Sequence, residues 1–189
     1  AKYFEKRGGG ESLELHSYAD AYELLENYRA DFDVLFMDIQ LNMMTGMEAA
    51  EWVRGMAERV APAAVLVIDA LAARGLERLC AAVQLSDTGI IPGSGVGNAR
   101  MALNRETLGV PVVSIGVPTV VDALTLTADL LPEGEAAVPE ELRRRGRSLF
   151  VTPKDVDEQI RELGKVVGYA VNLALQRGLT VADIDALLA

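Results

Sequence analysis

Val65-Leu66-Val67-Ile68-Asp69-Ala70-Leu71-Ala72-Ala73-Arg74 is the stretch on which the fold turns. Four aliphatic residues in a row, then an acid, fit a buried strand of a parallel sheet that presents a carboxylate at its end. Upstream, Val34-Leu35-Phe36-Met37 followed by Asp38 repeats the pattern; downstream, Val110 to Ile115 reads as another strand, interrupted by Pro111. Helical periods lie between. Thr45-Gly46-Met47-Glu48 has the spacing of a capping box, and the helix it opens aligns Val53, Met56, Ala57 and Val60. Ala19 to Tyr28 is amphipathic, and Leu13 to His16 fits a short strand. Thr119 suits an N-cap for a helix running to about Leu131. A long helix is predicted from Thr152, with Pro153 in its first turn and a stripe of Val156, Ile160, Leu163, Val167, Val171 and Ala174. Gly178 ends it, and Thr180 can cap a last helix to Leu188. Strands alternating with helices predict an α/β fold, a three-layer sandwich with a mostly parallel sheet and helices on both faces.

Composition narrows the function classes. The 189 residues are 50% hydrophobic and 24% charged, a globular balance with enough chain for one core. A net charge of -10 argues against nucleic acid, which needs a basic face, and suits a basic partner. Arg143, Arg144, Arg145 and Arg147 are flanked by Glu140 and Glu141 and read as a solvated helix end. No signal peptide is read, and no apolar run approaches the ~18 residues of a membrane span, so a cytoplasmic location and no membrane partner are expected. Cys80 is the single cysteine; in Leu79-Cys80-Ala81-Ala82-Val83 it reads as a small core residue, not a nucleophile. His16 is the only histidine, which excludes triads with a histidine base and histidine-rich zinc sites.

Carboxylates therefore carry the candidate chemistry. In open α/β sheets, ligands gather at the carboxyl ends of strands, where Asp38 and Asp69 are expected. Two carboxyl groups close together can share a proton, one acting as base on water and the other as acid. Asp87, in Ser86-Asp87-Thr88-Gly89, matches the Asp-Thr-Gly of pepsin-like proteases, but those are all-β and the context here is not. Asp122 falls in the first turn of the helix predicted after Thr119, where a carboxylate meets the helix dipole favourably. Pro92-Gly93-Ser94-Gly95-Val96-Gly97-Asn98 lacks the dinucleotide-binding glycine spacing; it fits either a tight structural loop or backbone amides set against an oxyanion or peptide.

Seven blocks in order resemble the spore germination protease family. They are Thr45 to Glu48, Val67 to Arg74, Gln84 to Ile90, Pro92 to Asn98, Glu106 to Val112, Ile115 to Ala123 and Val151 to Asp157. The resemblance implies an α/β fold akin to hydrogenase-maturation proteases. It also implies an endopeptidase that starts the breakdown of small acid-soluble spore proteins in the spore core, and a tetramer built from a self-processed zymogen. It implies two catalytic aspartates, the second of which carries onto Asp69. The first belongs to a Thr-Pro-Asp-Ala-Leu-Gly-Pro motif that this chain does not contain. Arg74, Asp87, Ser94, Gly95, Asn98 and Asp122 lie in the matching blocks as candidates for supporting the site or touching substrate. No organic cofactor is implied, and a divalent metal is left open.

The first residues resemble something else. Val34 to Leu41 followed by Gly46 has the spacing around the phosphoacceptor of a response-regulator receiver domain, which makes Asp38 the acceptor in an alternative, signalling reading. Seven of the ten aromatics precede residue 40, so composition changes at the same place. Residues 1–44 are thus expected to be a receiver-like fragment without independent folding, and 45–189 a germination-protease-like domain.

Overall fold

The structure, a computed structural model, describes residues 46–94 and 101–188. These fall in two compact units, one carrying 46–94 and 101–168, the other 169–188. The elements predicted at Leu13 to His16, Ala19 to Tyr28 and Val34 to Met37, and the Thr45 cap, lie outside the described residues.

Helix α1 (Gly46–Val60) forms where the capping-box sequence predicts it and buries Met56 and Ala57 of the expected face, together with Ala50. Strand β1 (Val65–Ala73) follows, then a 3₁₀ turn (Leu76–Arg78), strand β2 (Gln84–Ser86) and a one-turn helix α2 (Arg105–Leu108). The long strand β3 (Val112–Asp122) leads into helix α3 (Ala123–Leu130). Helix α4 (Glu140–Arg145), strand β4 (Phe150–Val151), helix α5 (Val156–Leu175) and helix α6 (Val181–Leu188) complete the described order.

The fold is α/β with a mixed sheet. β3 is the centre: β1 pairs with it in parallel, and β2 and β4 pair with it antiparallel. Ala50, Ala57, Leu103, Leu108 and Val112 make the core, with Val53, Val65 and Val67 packed against it. α1 thus covers the sheet face that carries Val65, Val67 and Val112. The opposite face differs from the expectation of a strand buried on both sides, because Leu66 and Ile68 are 40% and 56% exposed.

Three boundaries move, each for a physical reason. β1 runs on to Ala73 instead of stopping at Ile68, because Ala70 to Ala73 pair with the β-branched run of β3. Alanine has little strand preference of its own, so the neighbouring strand decides. For the same reason Thr119 lies inside β3, buried, and does not cap a helix. The cap is Asp122, whose Oδ1 accepts from the Thr125 amide at 2.9 Å and Oδ2 from the Thr125 hydroxyl at 2.7 Å. Asp122→Ala is expected to lower thermal stability by about 1 kcal/mol, and Asp122→Asn by less, because an amide oxygen can still accept from that backbone donor.

At the other end, α5 begins at Val156 instead of Thr152. The Thr152 hydroxyl donates to the Thr119 carbonyl at 2.8 Å, which holds this segment against β3. Gly178 adopts φ 82°, the left-handed conformation its helix-ending position predicts. Thr180 caps α6 as expected: Asp183 accepts from the Thr180 amide and hydroxyl, and that hydroxyl accepts from the Asp183 amide. These bonds hold the Asp183 carboxyl below its ordinary pKa. On α4, Glu141 accepts from Arg144 at 2.8 Å and Arg145 at 3.4 Å, so two of the basic cluster's charges are answered locally.

Candidate active site

Asp69 stands in the middle of β1, opposite Gly116 of β3, and not at the strand's carboxyl end as the sequence pattern suggests. That end carries Arg74, which is exposed, and then the 3₁₀ turn, whose first amide donates to Asp129 Oδ2 at 2.6 Å. Strand alternation puts the Asp69 side chain on the face of Val65 and Val67, the one that α1 covers further along. The residue is half-buried, and its Oδ1 accepts from the Ala70 amide at 2.9 Å.

Register sets out a row across the sheet. Gly116 pairs with Asp69 on one side and with Gln84 of β2 on the other, so all three share one level and one face. A Cβ on Gly116 would sit 2.2 Å from Cδ1 of Leu71, so the leucine lies over the glycine. Gly116 and Gln84 lie within quoted sequence blocks, but only strand pairing reveals that they share one level with Asp69.

The other predicted residues do not converge on this row. Asp122 is six residues along β3 from Gly116, roughly 20 Å at strand rise, and both its oxygens are engaged in the α3 cap. Asp87 follows Ser86, which pairs with Ser114, so it lies beyond β3 and roughly 10 Å further back along the strands. It is exposed. Its Asp-Thr-Gly triplet is a turn, tied down by the buried Ser114, whose hydroxyl donates to the carbonyl of Gly89 at 3.2 Å. Ser94 is exposed, and its amide donates to the Ile91 carbonyl at 3.2 Å. Gly95, Asn98 and Asp38 lie outside the described residues.

Cys80, just after the 3₁₀ turn, is half-buried and not sealed in the core as its apolar neighbours suggest. Burial, then the nearby Asp155 charge, pushes its thiol above the ordinary value, away from the reactive thiolate. Among the described residues no group of three or more His, Cys, Asp or Glu could hold a metal ion. No helix among them is long and apolar enough to cross a membrane. A single carboxylate in this position can take a proton from water. Expelling an amine from a peptide bond also needs a proton donor, which a second carboxyl group would supply.

Residues 16–133 match the profile of a family described as germination protease. The match takes in more than half of the chain, with Asp69, Gln84 and Gly116 inside it. The chain belongs to the germination protease family. A germination protease of Caldanaerobacter subterraneus subsp. tengcongensis is 42% identical over 171 residues, an alignment that takes in 77% of this chain and 53% of the relative. Those of Clostridium tetani and Halalkalibacterium halodurans are 40% and 34% identical, with 77% and 76% of this chain and 53% and 54% of the relatives covered. The chain spans about half the length of these germination proteases. Neither comparison supports a phosphoacceptor role for Asp38.

Proposed function

We propose that this chain carries one half of the catalytic pair of a germination protease, an endopeptidase that cleaves small acid-soluble spore proteins in the spore core. Asp69 is its catalytic carboxylate, the base that draws a proton from the attacking water. The second carboxyl group comes from the part of the family's length that has no counterpart here, because no other candidate acid reaches the Asp69 row among the described residues. The observation that carries the reading is Asp69 itself, a half-buried carboxylate on a rigid central segment of β1 inside a family-matched sequence. Residues 45–189 carry the resembling blocks of the germination protease part, and the family match reaches back to residue 16. The whole protein is a three-layer sandwich with a mostly parallel sheet, similar to hydrogenase-maturation proteases, of which the described strands are a portion. It assembles as a tetramer, needs no organic cofactor, and uses neither nucleic acid nor a membrane as partner.

The test is cleavage of a small acid-soluble spore protein. The 189-residue chain alone is expected to leave it intact. Joined to the segment of the Caldanaerobacter relative that has no counterpart here, the chain is expected to cleave it, and Asp38→Asn to leave that rate unchanged. A joined protein that is folded yet inert would refute the reading.

A further inference from the structure

Leu71 holds a place that its own strand pairing does not give it. Across the register it faces Pro118, yet its side chain reaches back along the sheet and lies over Gly116, the partner of Asp69. A Cβ at Gly116 would meet three atoms of this one side chain, Cδ1 at 2.2 Å, Cγ at 2.7 Å and Cδ2 at 3.3 Å. The volume that a side chain at 116 would fill therefore belongs to Leu71. Asp69 and Leu71 are two apart on β1 and share a face, so an isobutyl group stands in the place beside Asp69 that a β3 side chain would take. The backbone sets the other side. The Val65 amide donates to the Pro111 carbonyl at 2.9 Å. Successive amides of a strand point to opposite sides, so those of Val65, Val67, Asp69 and Leu71 turn toward β3, and that of Ala70 turns away. Asp69 Oδ1 accepts from that outward Ala70 amide at 2.9 Å. One oxygen is thus drawn away from β3, while Leu71 fills the space toward it.

We infer that Leu71 is a positioning residue for Asp69: seated on Gly116, it closes the β3 side of the carboxylate and keeps it turned to the Ala70 amide. A base that draws a proton from water works only while its oxygens hold one direction. A carboxylate that swings about its Cα–Cβ bond spends part of its time misdirected. Glycine at 116 is the condition for this arrangement, because any larger residue would evict the leucine. The packing stands on geometry alone; its consequence for rate rests on the reading of Asp69 as the catalytic base.

The experiment is nuclear magnetic resonance of the 189-residue chain at neutral pH, reading the Asp69 Hα–Hβ couplings and the Ala70 amide proton shift, with cleavage by the joined protein measured alongside. The unaltered chain is expected to show the couplings of a single Asp69 rotamer, with the Ala70 amide moved downfield by its bond to a charged acceptor. Leu71→Ala is expected to average the couplings and lose the downfield shift. Leu71→Val, whose side chain is too short to cover Gly116, carries the same prediction if the alanine variant does not fold. Leu71→Met, close to leucine in volume, is expected to keep both signals. Gly116→Ala is expected to act like Leu71→Ala, and the two together to do no more than either alone, because both remove one contact. In the joined protein Leu71→Ala is expected to lower kcat about tenfold with KM unchanged, and Leu71→Met to keep the unaltered rate. A leucine that only fills space would alter thermal melts and leave the Asp69 rotamer as it is. Unchanged couplings and Ala70 shift in the shortened variants, or equal losses with Leu71→Met, would overturn the inference. A joined protein that cleaves nothing, while the resonance changes appear as stated, would count against the role of Asp69 and leave the positioning contact standing.

Discussion

Gly89→Ala is expected to destabilise the sheet-bearing unit by about 3–5 kcal/mol, close to the whole stability of a marginal domain. Gly89 has φ 83°, a backbone conformation that costs a residue with a Cβ roughly 1–2 kcal/mol. A Cβ there would lie 2.1 Å from the Leu103 carbonyl oxygen and 2.8 Å from Asn104 Cα. Both are backbone atoms, so no rotamer change relieves the clash. Residues 89 and 90 must move away from residues 103 and 104, which strains the paired bonds between Ile90 and Leu103 at 3.0 and 2.8 Å. Each lost bond adds about 1 kcal/mol. The Ser114 hydroxyl would also lose its acceptor at the Gly89 carbonyl. Urea unfolding followed by circular dichroism measures the loss as a shift of the midpoint. A change below about 1 kcal/mol would mean that the Asp87 turn is not built this way. Its glycine serves the turn, and the pairing of Ser86 with Ser114 sets the Asp-Thr-Gly triplet away from the Asp69 row.

The second large effect concerns rate. Asp69→Asn removes the proposed base while keeping the size of the side chain and an oxygen able to accept from the Ala70 amide. In the joined protein the cleavage rate is expected to fall about 10²–10⁴-fold, the usual contribution of a positioned acid or base. Stability should stay within about 1 kcal/mol, because the side chain is only half-buried and asparagine keeps its size and an acceptor oxygen. A rate loss without a stability loss separates chemistry from folding.

Local chemistry was legible in the sequence, and pairing was not. The turn at Gly178 and the Thr180 cap follow from residues that act within a few positions of themselves. The ends of β1 and β3 depend on partners. Ala70 to Ala73 look indifferent until the Val117 to Val121 segment lies beside them, and Thr119 resembles a cap until β3 absorbs it. Asp69 stands out as a candidate from its sequence block, but its place in mid-strand and its row with Gly116 and Gln84 appear only with register. The run Val65 to Ile68 suggests burial on both sides. An apolar run shows what a face prefers to touch, not what covers it, and here one face remains open in the described structure.

The central claim is that Asp69 acts on the water that attacks the peptide bond. The most direct measurement is the rate at which the joined protein cleaves a small acid-soluble spore protein, with and without Asp69→Asn, at matched fold and concentration. A loss of at least a hundredfold is predicted. Cleavage at the unaltered rate would contradict it and move the catalytic group elsewhere.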